Sequence, residues 1–249
     1  MGRLEGRRAL VWGGGSGIGF GCAEAMSAEG ALMFIASRSA ERLAAASGRL
    51  GGCGFAAGDA TVETNVAQVT ATAVERLGGL DTLVISSGAA GPTPTGATPL
   101  PEFRRIVDVN LTPVLLAVQA ALPHLRERGG AVIAIASVYG LVGQRGRLAY
   151  CAAKSGVVGM VRAMALDLAD EGVRVNALCP GFIETELARE VASREPDPEA
   201  ALAARRGMHP IPRAGTPAEI GAAAVWLASD AGAWVTGQAI PIDGGYTAR

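Results

Sequence analysis

The sequence predicts a single α/β domain, a Rossmann fold whose doubly wound parallel sheet carries helices on both faces. Short apolar runs alternate with longer helical patterns along the chain, and a glycine-rich turn joins the first run directly to the first helix. Composition agrees: of 249 residues 49% are hydrophobic, enough for one large core, and the 35 glycines lie scattered through periodic segments instead of forming a linker. One domain is therefore expected over residues 1–249.

Residues 9–12, 32–36, 83–85, 131–135 and 173–178 are short, almost wholly apolar runs, as strands buried on both faces must be. Between them, residues 18–29, 40–50, 62–77, 103–126 and 150–170 carry helical patterning. Strict alternation implies right-handed crossovers and a ligand site outside the carboxyl ends of the strands. The helix at 150–170 is apolar nearly all round, broken only by Lys154, Arg162 and Asp167, so it is buried on more than one side, in the core or at a subunit interface. Pro113 denies a hydrogen bond to the carbonyl of Val109 and is expected to kink its helix beside Asn110.

Bulk properties exclude several functions. A net charge of −1 and a pI near 6.2 argue against a nucleic-acid surface or a polybasic membrane patch. Four cysteines (Cys22, Cys53, Cys151, Cys179) form no CxxC pair, and with two histidines, His124 and His209, no metal cluster is expected. They read as buried apolar groups in a reducing cytosol. Neither a signal-peptide pattern nor an uninterrupted apolar run of ~18 residues is evident, so a cytoplasmic protein is expected.

Chemistry is concentrated around Tyr150 and Lys154, which share one face of a helix at i and i+4. An ammonium beside a phenol favours phenolate, drawing an ordinary tyrosine pKa of ~10 toward neutrality. Ser137 can hydrogen-bond an oxygen that gains charge. Alone, a Tyr-x-x-x-Lys pair is common in helices. It gains weight from the turn Gly13-Gly14-Gly15-Ser16-Gly17-Ile18-Gly19, where bare backbone and a helix N-terminus suit a pyrophosphate. The end of the second strand reads Ala36-Ser37-Arg38, with no carboxylate to meet a ribose 2′-hydroxyl and with a cation able to meet a 2′-phosphate. NADP(H) is accordingly the expected cofactor, with NAD(H) the weaker alternative.

With these residues in hand the chain resembles the short-chain dehydrogenase/reductase superfamily over its whole length, and its 3-oxoacyl-[acyl-carrier-protein] reductases over most of it. Gly13, Gly17 and Gly19 match the glycine pattern, and Asn110, Ser137, Tyr150 and Lys154 match the catalytic tetrad in order and spacing. The resemblance implies that Tyr150 is the general acid/base and Ser137 orients the carbonyl oxygen. Lys154 binds ribose and lowers the tyrosine pKa, and Asn110 holds a relay water. It implies cofactor contacts at Gly15, Ser16, Ile18, Asp59, Ala60, Ser87, Gly88, Pro180, Gly181, Ile183 and Thr185. It also implies a substrate-covering segment at about residues 184–212, irregular around a short helix, and a homotetramer built on the helices at 103–126 and 150–170. Val138, Tyr139, Leu141 and Gln144 are expected to line the substrate pocket.

Two departures stand out. Trp12 occupies the place of a family threonine, and Ile85-Ser86-Ser87-Gly88 that of an Asn-Asn-Ala-Gly stretch. Loss of both partners together should leave no buried donor unpaired, with Trp12 buried near Ile85 and its N–H satisfied. Asp170-Glu171 lies where carrier-protein docking needs basic residues, so a small or CoA-like carbonyl or alcohol is the expected substrate. The alternatives are a 3-oxoacyl-[acyl-carrier-protein] reductase or a non-catalytic nucleotide-binding sensor or scaffold.

Overall fold

The computed structural model describes residues 2–193 and 195–248, apart from the side chain of Leu187. Its centre is a seven-stranded, all-parallel sheet formed by β1 (Arg8–Trp12), β2 (Leu32–Ser37), β3 (Gly54–Ala57), β4 (Thr82–Ile85), β5 (Ala131–Ile135), β6 (Arg174–Pro180) and β7 (Ala239–Ile242), in the order β3-β2-β1-β4-β5-β6-β7. Strand order reverses between β1 and β4, which opens a crevice at their carboxyl ends.

Alternate side chains of each central strand serve opposite faces. Leu10 and Trp12, with Leu83 and Ile85, enter one core with α3 (Glu63–Leu77), α4 (Leu100–Leu125) and α5 (Leu148–Asp167). Ala9, Val11 and Val84 enter the other with α1 (Gly17–Ala28), α2 (Ala40–Arg49) and α8 (Pro217–Ala228). Two buried faces remove the polar half of the usual alternation, and this is why the strands are continuous apolar runs.

The fold is as expected, with local differences. α4 runs unbroken through Pro113 and Pro123. Asn110 sits within it and donates from Nδ2 to Ile106 O (2.8 Å) and to Ala89 O (2.7 Å), tying the helix to the loop after β4. By length and composition α4 could span a bilayer; here its Val114, Ala117, Ala121 and Leu125 are buried in the core with the sheet. The segment at 184–212 holds two helices, α6 (Glu186–Ala192) and α7 (Pro198–Gly207), instead of one, with Arg194 outside the described residues. Thr185 and Asp197 cap them by accepting from Ala188 N–H and Ala200 N–H, so the second helix has its own start signal, Asp197 followed by Pro198.

Candidate active site

The turn after β1 is folded by its glycines. Gly13 (φ 79°) and Gly17 (φ 56°) occupy left-handed backbone, and the N–H groups of Gly13 and Gly14 both reach Ala36 O. A Cβ on Gly19 would stand 2.2 Å from Gly13 O, so Gly19 lets α1 close against the turn. Ser16 precedes α1 without a side-chain cap bond, and no acidic residue lies in the first turn. The helix therefore presents its N–H groups and positive dipole end to the crevice.

A cleft of about 480 Å³ runs from this turn to Tyr150 and Lys154. Its walls include Gly13, Gly15, Ser16, Gly17, Ile18, Ser37, Arg38, Asp59, Ala60, Ser87, Gly88, Asn110, Ser137, Pro180, Gly181 and Thr185. Two expected contacts lie elsewhere. Gly19 is buried behind the turn, and Ile183 lines a separate cavity of about 220 Å³ with His209 and Asp243, because its chain bridges to Gly215. Arg42 also faces the cleft and was not anticipated, although it stands one helical turn beyond Arg38. Asp59 is held low in pKa by hydrogen bonds from Thr61 and, less, by the charge of Arg38, which puts that guanidinium near the rim between β2 and β3. A bare glycine cradle and an uncapped helix end fit the pyrophosphate of a dinucleotide.

At the other end of the cleft α5 begins with Arg147 as its cap, two residues earlier than expected, and carries Tyr150 and Lys154 on one face. The Ser137 hydroxyl meets the Tyr150 phenol and also accepts from Tyr139 N–H at 3.2 Å. Lys154 donates from Nζ to Ile135 O at 2.8 Å and lies 5.7 Å from the centre of the Tyr150 ring. Oδ1 of Asn110 is buried without a protein partner, and a Cβ built on Gly88 would touch it at 2.5 Å and lie 3.6 Å from Lys154 Nζ. All four tetrad residues thus line one cleft.

The electrostatics correct one expectation. Burial raises the Tyr150 phenol above its ordinary value, opposed by the Ser137 hydrogen bond and the charge of Arg147. Burial likewise lowers the Lys154 ammonium to about 8, so the lysine is a weaker cation than assumed and its proton points to a carbonyl. A second correction concerns Trp12. Its ring is fully buried, with Ile85 and Ala36 beside it in the sheet, yet Nε1 has no hydrogen-bond partner. The apolar Ile85 offers no acceptor, so the paired departure does leave a buried donor unsatisfied.

Of the expected substrate-pocket residues, Val138 is buried under the loop and Leu141 is exposed. Tyr139 packs edge-on against Tyr150 (6.4 Å between centroids) and Tyr246 (6.2 Å), while Gln144 Oε1 accepts from the Tyr246 hydroxyl at 3.4 Å. Burial pushes the Tyr139 phenol up to about 12. Among the described residues no cluster of His, Cys, Asp and Glu could hold a metal.

Fold and cleft together define a dinucleotide-binding α/β protein with Tyr150 and Lys154 at the end of its cleft. Residues 13–247 match the family model described as enoyl-(acyl carrier protein) reductase. The chain is 38% identical to L-fucose dehydrogenase of Bos taurus, over 98% of this chain and 90% of that one. It is 39% identical to 2-(S)-hydroxypropyl-CoM dehydrogenase 3 of Xanthobacter autotrophicus, over 99% and 98%. A crystal structure of a variant actinorhodin polyketide ketoreductase with NADPH superposes with a TM-score of 0.93 at 31% identity, covering 99% of each chain. The chain belongs to the short-chain dehydrogenase/reductase superfamily and is a hydride-transfer oxidoreductase that uses a nicotinamide cofactor.

Proposed function

We propose that the protein interconverts a small ketone and alcohol with NADP(H) preferred over NAD(H), Tyr150 serving as general acid/base. The observation that carries the cofactor preference is the end of β2: Ser37-Arg38 with no carboxylate, and Arg42 on the same rim. Among the described residues neither guanidinium has an ion-pair partner, and both can take a 2′-phosphate in charge-assisted contacts. The nicotinamide supplies hydride or accepts it. For reduction, Ser137 and Tyr150 hydrogen-bond the substrate carbonyl oxygen, and the phenol O–H proton passes to that oxygen as carbon gains hydride. Lys154 holds the cofactor ribose, and the Asn110 carbonyl holds a relay water that returns a proton to the phenol. Free cysteines, with burial pushing the Cys22 and Cys179 thiols up to about 12 and about 11, suit a cytoplasmic, reducing location.

The test is kcat/KM with both cofactors. A preference for NADP(H) of about 10- to 100-fold is expected, the size of one or two exposed charged contacts worth ~1.5–3 kcal/mol. Arg38→Ala should remove most of it. A wild-type enzyme that favours NAD(H) shows the cofactor assignment to be wrong.

A further inference from the structure

Arg147 is a cation without a counter-charge beside the reacting groups. It is half-buried, and among the described residues no hydrogen bond or ion pair reaches its guanidinium. Of the arginines that line the cleft, Arg105 is neutralised by Glu102, while Arg38 and Arg42 stand at its other end, by the glycine turn. Two segments flank the site here, residues 86–99 and 137–150, and neither contains an Asp or Glu.

The backbone on both sides of Arg147 is fixed by the buried Thr93. Thr93 N–H donates to Gly146 O, Thr93 O accepts from Leu148 N–H, and Thr93 Oγ1 accepts from Ala149 N–H. The guanidinium therefore starts from an immobile point, three residues before Tyr150. Arg147 and Tyr150 stand three residues apart at the start of α5, the spacing that puts two side chains on one helix face, and the charge of Arg147 acts on Tyr139 and Tyr150. A half-buried arginine beside a catalytic phenol, with no protein acid to neutralise it, is electrostatically incomplete.

We propose that Arg147 completes itself with the substrate, holding a carboxylate or sulfonate on a short oxo- or hydroxy-acid whose carbonyl or carbinol oxygen lies at Tyr150. The planar fork suits either oxyanion. This rests on the hydride-transfer reading above and narrows its substrate to an anion.

The experiment compares wild type, Arg147→Gln and Arg147→Lys with NADPH on matched pairs: 4-oxopentanoate against its methyl ester, and 3-oxobutane-1-sulfonate against 2-butanone. Wild type is expected to favour each acid over its neutral partner at least tenfold in kcat/KM. Arg147→Gln should collapse that ratio at least tenfold, and Arg147→Lys should restore part of it. Arg147 also lowers the Tyr150 phenol, so a purely tuning role would change acid and neutral partner alike and leave the ratio intact; that outcome overturns the proposal. Turnover of the neutral ketones with no preference for the acids also overturns it, while leaving hydride transfer standing. If none of the four compounds is reduced, the ketone-reductase reading is what fails. The anion site is then decided by calorimetry of propane-1-sulfonate with the NADP⁺-loaded proteins: binding to wild type that Arg147→Gln abolishes supports it, and equal or absent binding overturns it.

Discussion

Tyr150 stands between burial, which keeps its proton on, and the Ser137 hydrogen bond and Arg147 charge, which draw it off. Burial is the largest of these and the phenol is raised, so the free enzyme holds the acid form through neutral pH. The sign for the two directions follows. Ketone reduction needs the protonated phenol and should be flat in kcat/KM up to the alkaline range. Alcohol oxidation needs the phenolate and should rise with pH, about tenfold per unit below the pKa, because kcat/KM reports the free enzyme. Profiles of both directions check this; an oxidation rate already level at neutral pH would contradict the raised phenol. Tyr150→Phe should abolish turnover with cofactor affinity nearly intact, since one reacting oxygen is lost and the ring is retained. A residual rate above about a tenth of wild type would remove Tyr150 from the proton-transfer role. The family resemblance, more than the spacing of Tyr150 and Lys154, grouped Asn110, Ser137, Tyr150 and Lys154, and the four do line one cleft. The direction of the tyrosine shift was not legible in the sequence, because burial depends on residues far away in the chain.

At the scale of elements, α8 illustrates how a helix start can be measured. Thr216 Oγ1 accepts from Glu219 N–H, and Glu219 Oε2 accepts from Thr216 N–H at 2.8 Å, a reciprocal capping box. Arg213 pairs with the same carboxylate at 2.6 Å, and together they lower Glu219 from 4.5 to about 2. A depressed carboxylate contributes stability that is present above its unfolded pKa and lost as pH falls through the folded one. Melting temperature should therefore decline between pH 4.5 and about 2. Glu219→Gln should cost about 1 kcal/mol at neutral pH, discounted for the exposure of the pair, or ~2–4 °C in Tm. It should also flatten that acid limb. An identical acid limb in the variant would mean the box contributes little. Neither α8 nor β7 emerged from the periodicity of the sequence. Most of α8 is apolar, with no contrasting face, and β7 carries Pro241, tolerated only because β7 is an edge strand paired on one side. β3 is four residues long, with Phe55 exposed, too brief to show a pattern.

For the whole molecule, the outstanding feature is apolar surface the monomer leaves bare. α4 exposes Leu115, α5 exposes Leu148 and Leu166, the last 82% exposed, and Trp234 before β7 is fully in solvent. A leucine removed from water gains ~1.5–3 kcal/mol, and a two-fold axis repeats each such contact in both partners. The all-round apolar character of residues 150–170 is thus divided, with Val157, Val158 and Val161 serving the core and Leu166 left on the outside. The side facing the core could be read from the sequence, whereas the side facing a partner could be read only as an excess of apolar residues. A homotetramer is the expected assembly, with α4 and α5 of paired subunits forming a four-helix contact and the region of Trp234 available for the second axis. Light scattering should give a mass near 100 kDa, four times the 25.2 kDa of one chain. Leu166→Glu, which sets like charges against each other across the axis, should lower that mass while the melting transition of the separated subunit persists. A stable 25.2 kDa species in wild type at micromolar concentration rules the assembly out. An unchanged tetramer in Leu166→Glu instead moves the interface away from α5.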